Sequence, residues 1–437
     1  MSDRLTHRIS IVGAGQAAAQ AIETLHKRGH KGPITLIGDE ASLPYQRPPL
    51  SKKYLAGTLD RDRLLIRHAA HYADHGVDLR LGFPAVGIDR TRRRVEIADG
   101  RAVEYDGLLL ATGSHPRLLP LPGAELAGVH YLRSIVDVDR LRAEITPGRR
   151  AVVIGGGYIG LEAAATCREA GLAVVVLEAA DRVMNRVVSP EVSRFYEAEH
   201  ARHGVKIVCN ARVESLVPGR ESLVPGRETG ITKEVFPVSR PGTERAGTER
   251  VAAVRLGDGS EIPADFVLVA IGVVPTEALA RDAGLECDNG IVVNEFCQTS
   301  DASIWAAGDC TRLPSIHYGA RVRLESVDNA FEQGTSAALN MLGLTTVHDK
   351  VPWFWSDQFD LKMVIVGLAA GHDSMVLRGN PASRAFSVCY LKAGELIAIE
   401  TINHTKDQMA ARKLIAARAR PDPGRLADDS ISLKDAV

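Results

Sequence analysis

Two glycine turns carry the first chemical signal in the sequence. Gly13-Ala-Gly15-Gln-Ala-Ala18 and Gly155-Gly-Gly157-Tyr-Ile-Gly160 each present a stretch of backbone with little side chain in the way. Glycine lets a main chain approach a pyrophosphate closely, and the unpaired N–H groups of a following helix offer it roughly half a unit of positive charge. An acid follows each turn at the end of a second apolar run, Asp39 or Glu40 in the first case and Glu178 in the second. A carboxylate there accepts the hydroxyls of an adenosine ribose. One such turn is weak. Two, each with its acid, indicate two separate dinucleotide sites.

The elements that must hold these residues can be read around them. Arg8–Val12 is a short buried strand leading into the first turn, an alanine-rich helix pattern runs to about Arg28, and Ile34–Ile37 forms the second strand. The pattern returns as Ala151–Ile154, a helix to about Ala170, and Ala173–Leu177. Leu108–Gly113 and Phe266–Gly272 are apolar strands ending on glycine, either for close passage of a flat ligand or simply to turn. Ser303–Asp309 ends a third strand on an acid, where ligands sit in open α/β sheets. From about Val347 the chain alternates apolar and polar residues, then becomes helical over Lys406–Ala419. The fold class expected is α/β, with two Rossmann-like dinucleotide-binding domains and a C-terminal α+β domain. The first domain is discontinuous, over residues 1–116 and 270–346; the second covers 117–269 and the third 347–437.

Inside the second domain, Glu214–Arg220 is repeated at once as Glu221–Arg227, and Gly242–Arg245 recurs as Gly247–Arg250. Two copies are too few for a solenoid, and Pro-Gly pairs favour turns. Residues 214–250 therefore read as a duplicated, mobile surface insertion.

Composition excludes several classes. A net charge of −1 and a pI near 6.9 give no general attraction to nucleic acid or anionic lipid. No apolar run approaches the roughly 20 residues a membrane span needs, and no signal peptide is visible at the N-terminus, so a cytoplasmic location is expected. The six cysteines, from Cys167 to Cys389, form neither a CxxC nor a metal-ligand spacing, and no metal site is expected.

Five longer runs sharpen the reading: Pro44-Tyr-Gln-Arg-Pro-Pro-Leu-Ser-Lys52, Gly155-Gly-Gly-Tyr-Ile-Gly-Leu-Glu162, Gly308-Asp-Cys310, Arg323-Leu-Glu-Ser-Val327 and Pro352-Trp-Phe-Trp-Ser-Asp-Gln358. Together they resemble the putidaredoxin reductase and aromatic-dioxygenase ferredoxin reductase family, FAD-dependent pyridine nucleotide oxidoreductases with the glutathione reductase fold. The resemblance covers nearly the whole chain apart from residues 214–250 and the tail. It implies that Gly13, Gly15 and Ala17 cradle the FAD pyrophosphate, that Asp39 or Glu40 takes its ribose, and that Lys52, Ala85 and Arg133 also contact FAD. Asp309 then lies near the ribityl chain and Val327 beside the flavin ring. Gly155, Gly157, Gly160, Glu162, Glu178, Arg186 and Gly272 fall where the family binds NAD. Ala18 replaces the last glycine of the first motif, a position that mainly sets helix–strand packing.

The resemblance also implies roles. Lys52 either pairs with Glu162 at the flavin edge or is a solvated surface lysine. A helix capped by Ser326 aims its N–H groups at the charge that reduced flavin carries. Trp355 is either plain core or stands on the acceptor side of the flavin. Glu178 faces a 2′-phosphate with like charge, so NADH is expected over NADPH. With no paired cysteines to carry electrons onward, flavin must deliver them to an external acceptor, splitting a two-electron donation into single steps. The implied function is an NADH-dependent ferredoxin reductase: hydride from NADH to FAD, then single electrons to a [2Fe–2S] ferredoxin that supplies an oxygenase. The Arg182–Pro190 run and the proline-rich entry loop favour a haem-thiolate monooxygenase over a Rieske dioxygenase. Alternatives are a rubredoxin reductase or NADH oxidase, or, from another class, a signalling flavoprotein like apoptosis-inducing factor.

Overall fold

A computed structural model of the chain describes residues 3–219 and 249–437. Backbone packing divides it into two compact units. The first comprises Met1–Arg47, Asp60–His115 and Val273–Val437, the second Pro48–Leu59 and Pro116–Gly272. Pro48–Leu59, which follows the first glycine turn's βαβ segment in sequence, packs with the second unit, and the C-terminal region packs with the first.

The first unit is built on β1 (Ile9–Val12), α1 (Gln16–Lys27) and β2 (Ile34–Gly38), a parallel pair joined by a helix. Every residue of β1 and β2 is buried, as apolar runs sandwiched between helices must be. Gly107–Leu110 and Ile304–Ala306 extend the parallel sheet on one side and Val77–Leu81 on the other, the last preceded by a short helix, α2 (Ala69–Asp74). The helix Val327–Met341 lies against α1 so closely that a Cβ on Gly334 would stand 2.5 Å from the Ala17 carbonyl oxygen. A five-stranded antiparallel sheet closes this unit, running from Trp353–Gln358 at one edge to Ser374–Asn380 at the other. The helix Thr405–Ala416 covers its core.

The second unit repeats the plan with β3 (Arg150–Ile154), α3 (Tyr158–Glu169) and β4 (Ala173–Leu177), flanked by Lys206–Val208, Phe266–Val269 and Val129–Tyr131, all parallel. The expected α/β class with two Rossmann-like sheets and a C-terminal α+β part is what the structure has. Among the described residues no helix is long and apolar enough to cross a membrane.

The duplicated region is partly corrected. Glu214–Gly219 of the first copy is not a turn but lies in a strand, Val213–Gly219, paired with Arg250–Leu256. Pro218 is tolerated because this is an edge strand with a register shift between Val217 and Pro218. The second copy, Glu221–Arg227, and the rest up to residue 248 lie outside the described residues. Arg250, the last residue of the short repeat, is built into the unit: with Arg149 and His130 it surrounds the Glu144 carboxylate. Burial raises the pKa of Glu144, but the hydrogen bonds from His130, Arg250 and Arg149 outweigh it and hold the carboxyl far below its ordinary range. A depressed carboxylate stabilises above its unfolded pKa and ceases to as pH falls. Glu144→Gln is therefore expected to lower stability by about 1–3 kcal/mol at neutral pH. The deficit should shrink below about pH 4, as thermal melts of the two proteins across pH will register.

Candidate functional site

In the first unit the glycine turn joins β1 to α1. The Gly13 N–H donates to the Ile37 carbonyl at 2.8 Å and holds the backbone at φ +103°. A Cβ there would stand 2.1 Å from the Ala111 carbonyl oxygen. Gly15 is the opposite case. It is the N-cap of α1, and a Cβ on it would meet nothing within 4 Å. No side chain caps α1 and no acid occupies its first turn, so its leading N–H groups face that open space. This is a cradle shaped for a phosphate, and it fits a dinucleotide pyrophosphate. Ala17 and Ala18 are buried in the core, so Ala17 offers the cradle its N–H only.

Strand register places both acids beyond the position that Glu178 holds in the other sheet. Val12 pairs with Ile37 as Ile154 pairs with Leu177, so Gly38 is the counterpart of Glu178 and the first acid, Asp39, comes one residue later. Glu40 accepts from the Tyr45 hydroxyl at 2.6 Å and from Arg47 at 2.8 Å, one on each oxygen. The Asp39 side chain is exposed.

Asp309 accepts from the Ser114 hydroxyl at 2.9 Å. The turn before it is clamped by Gln333, a fully buried side chain whose carbonyl oxygen accepts from the Gly308 N–H at 2.7 Å and the Thr311 hydroxyl at 2.9 Å. Ser326 caps the helix Val327–Met341 as expected, accepting from the Asn329 N–H at 3.0 Å and making Val327 its first residue. Asp328 in that first turn is held by both nitrogens of the Arg412 fork, at 2.9 and 3.1 Å, while Arg412 Nε donates to the Val351 carbonyl at 3.1 Å. Burial pushes the Asp328 carboxyl up, against the pull of Arg412. Trp355 and Trp353 share one face of their strand with ring centroids 5.1 Å apart, half-buried on the C-terminal core. Ala85 is half-buried in a separate antiparallel sheet, paired with Ile97.

In the second unit the turn is repeated with tighter packing. Gly155 has φ +108°, and a Cβ would lie 2.3 Å from the Ala270 carbonyl oxygen. One on Gly160 would lie 2.1 Å from the Gly155 oxygen. Gly157, the N-cap of α3, again opens on space with no atom within 4 Å. Glu178 is aimed by two backbone donors, the Gly156 N–H at 2.7 Å and the Ala180 N–H at 2.8 Å, one on each oxygen. Each oxygen keeps a second lone pair for a ribose hydroxyl. Arg182 is engaged locally, donating to the Val188 carbonyl and to the Ser193 hydroxyl of the helix Pro190–Arg202. Arg186 is exposed, with a guanidinium nitrogen 3.6 Å from where a Cβ of Gly272 would stand. Arg133 directly precedes the capping box of Ser134 and Asp137.

The same unit contains an ion pair. Lys52 Nζ lies 2.7 Å from Glu162 Oε2, with the carboxylate side chain only 5% exposed and the lysine 19%. The Ser51 hydroxyl donates to the same oxygen at 2.5 Å, and the Thr166 hydroxyl holds the Ser51 carbonyl at 2.9 Å. Lys52 is thus not a solvated surface lysine. Ser51 and Thr166, like Gln333 and Arg412, were not singled out from the sequence.

Two parallel sheets, each opening on a bare glycine-lined helix start, define a two-dinucleotide oxidoreductase. Residues 7–334 match the model of the pyridine nucleotide-disulphide oxidoreductases, and residues 353–437 the reductase C-terminal domain. The chain belongs to that family, among its putidaredoxin and ferredoxin reductases, which use FAD and NAD(H). It is 42% identical to rhodocoxin reductase of Rhodococcus erythropolis, over 98% of this chain and 94% of that protein. The solved putidaredoxin reductase of a covalent complex with putidaredoxin superposes with a TM-score of 0.89 at 38% identity, covering 98% of each chain. The ferredoxin reductase of the CYP199A2 system from Rhodopseudomonas palustris gives the same TM-score at 39% identity, over 98% of this chain and all of that one.

Proposed function

We propose that the chain is an NADH-dependent reductase that loads its FAD from NADH and passes single electrons to a [2Fe–2S] ferredoxin, which in turn supplies an oxygenase of the haem-thiolate class. The observation that carries this reading is the state of the cysteines. All six are free, four are buried, and burial pushes the thiols of Cys167 and Cys297 up to about 12. They provide no dithiol relay, so electrons must leave the protein from the flavin itself. Bound FAD supplies the step from a two-electron donor to a one-electron acceptor. The chain's own residues hold the two dinucleotides: Gly13, Gly15, Ala17, Asp39 and Asp309 in the first unit, with Gly155, Gly157, Gly160, Glu178, Arg186 and Gly272 in the second. Lys52, backed by Glu162, supplies a positive charge for the reduced flavin. The relatives named above are reductases of rhodocoxin, putidaredoxin and ferredoxin, which supports an iron–sulfur acceptor.

Steady-state NADH oxidation with and without a [2Fe–2S] ferredoxin tests the assignment. Turnover should be fast only with ferredoxin present; equal rates without it would leave an NADH oxidase. The donor preference has its own test. Glu178 meets a 2′-phosphate with a fixed negative charge, so kcat/KM should favour NADH by about tenfold or more. Glu178→Ala should narrow that ratio, and a wild-type ratio near one would remove the role given to Glu178.

A further inference from the structure

At the far end of α1 from its glycine turn, a cavity of about 550 Å³ is lined by basic side chains that the proposed reaction does not use. Two histidine pairs, each four residues apart, meet there: His26 in the last turn of α1 with His30 just beyond it, and His71 in α2 with its C-cap His75. The ring centroids of His26 and His75 are 4.2 Å apart, and those of His71 and His75 4.4 Å. We propose that this cavity is a binding site for a phosphate- or sulfate-type oxyanion, held by Lys31, Arg67 and the four imidazoles.

Charge decides the ligand's sign. The single carboxylate in the lining, Glu23, is already engaged by Lys27 at 2.9 Å, His71 at 3.5 Å and Arg67 at 3.6 Å. Three fixed cations, Lys27, Lys31 and Arg67, against that one anion leave two positive charges with the imidazoles neutral. A divalent metal would be repelled, and among the described residues no three His, Cys, Asp or Glu are arranged to hold one. Hydrogen bonding points the same way. His30 is 4% exposed, yet neither of its ring nitrogens has a hydrogen-bond partner among the described residues, and the Nε2 of His26 also lacks one. Leaving such groups unmet is costly; in each neutral ring one nitrogen is an N–H donor that an oxyanion accepts from, and protonation makes the second nitrogen a donor as well. Three of the carbonyls that end α1, those of Thr24, His26 and Leu25, already accept from the N–H groups of Arg28, Gly29 and His30, so the cations and imidazoles are the groups that meet the anion.

The same packing makes binding depend on pH. Burial and then the neighbouring rings of His75, His71 and His30 bring His26 down to about 4, while burial also lowers His30 and His71. His7 beside His30 adds to this, and Glu23 and Asp74 act weakly the other way. An anion reverses these penalties and raises the imidazole pKa values, so binding takes up protons and tightens as pH falls.

Sulfate is the probe, because its charge is constant across the range, titrated into FAD-loaded protein at fixed ionic strength. Calorimetry is paired with the imidazole C–H signals in NMR. The expected result is one site, about tenfold or more tighter near pH 5.5 than near pH 8, with histidine signals moving together. Lys31→Gln combined with Arg67→Gln should weaken it about tenfold, with flavin content and reduction by NADH unchanged. Affinity indifferent to pH or to the double substitution, or binding that moves no imidazole signal, would overturn the proposal. So would zinc ion, rather than sulfate, shifting those signals.

Discussion

Gly15→Ala and Gly157→Ala should fold like the parent and fail to hold their ligands, whereas Gly13→Ala and Gly155→Ala should fail in the fold itself. The four positions differ by what a single methyl would meet. At Gly15 and Gly157 the backbone is extended, a conformation alanine adopts freely, and the methyl would enter space with no protein atom within 4 Å. That space is where the leading N–H groups of α1 and α3 point, so the methyl keeps a pyrophosphate from reaching them. Losing that approach is worth about 2–3 kcal/mol, on the order of a hundredfold in affinity. At Gly13 and Gly155 the backbone is left-handed, and the methyl would press to 2.1 and 2.3 Å from the carbonyl oxygens of Ala111 and Ala270. Neither oxygen can withdraw without breaking into its sheet, and the positive φ adds about 1–2 kcal/mol of its own. Melting temperature and flavin absorbance measured together distinguish the cases. Gly15→Ala should give a cooperative melt with little bound flavin, and Gly157→Ala normal flavin with a KM for NADH raised about a hundredfold. Full flavin occupancy in Gly15→Ala would mean that the pyrophosphate does not use this turn.

Such turns are legible in a sequence because their demand is written in residue type: glycine at Gly13 and Gly155, where φ is positive, and a short polar side chain that accepts from the helix at Ser326. What depends on tertiary neighbours was not legible. Nothing local tells that Glu40 accepts from Arg47 and Tyr45, or that Gly38 takes the place in its sheet that Glu178 takes in the other. The Pro-Gly of the first heptapeptide copy favours a turn, and pairing of Pro218 and Gly219 with Val251 and Arg250 overrides it. Gln333 and Arg412 act over long sequence separations, through a buried amide on one helix and a guanidinium fork on another. A lone Gln in a stripe of small residues was the available hint for the first. The His26 and His71 pairs did have a sequence signal, two His-x3-His spacings, but only the fold shows that they face one another.

Lys52→Met should slow reduction of the bound FAD by NADH about ten- to hundredfold, the effect of about 1–3 kcal/mol lost from one charge interaction in a partly water-excluded site. Methionine keeps the length and apolar stem of lysine, so packing changes little while the ammonium disappears. The substitution also removes the Lys52 cation from Glu162, whose carboxylate is 5% exposed. A buried carboxylate deprived of its cation destabilises the fold by itself, and that loss must be separated from any effect on the flavin. Pairing Lys52→Met with Glu162→Gln does so, because the double variant holds no stranded charge. If the lysine serves only to neutralise Glu162, the double variant should recover both its melting temperature and the rate of flavin reduction. If the ammonium supports the negative charge of reduced flavin, the melting temperature should recover while reduction stays slow and the flavin potential stays more negative than in the parent. Stopped-flow absorbance at matched flavin content supplies the rate, and a redox titration the potential. Parental values for both in the double variant would confine Lys52 to holding Pro48–Leu59 against α3.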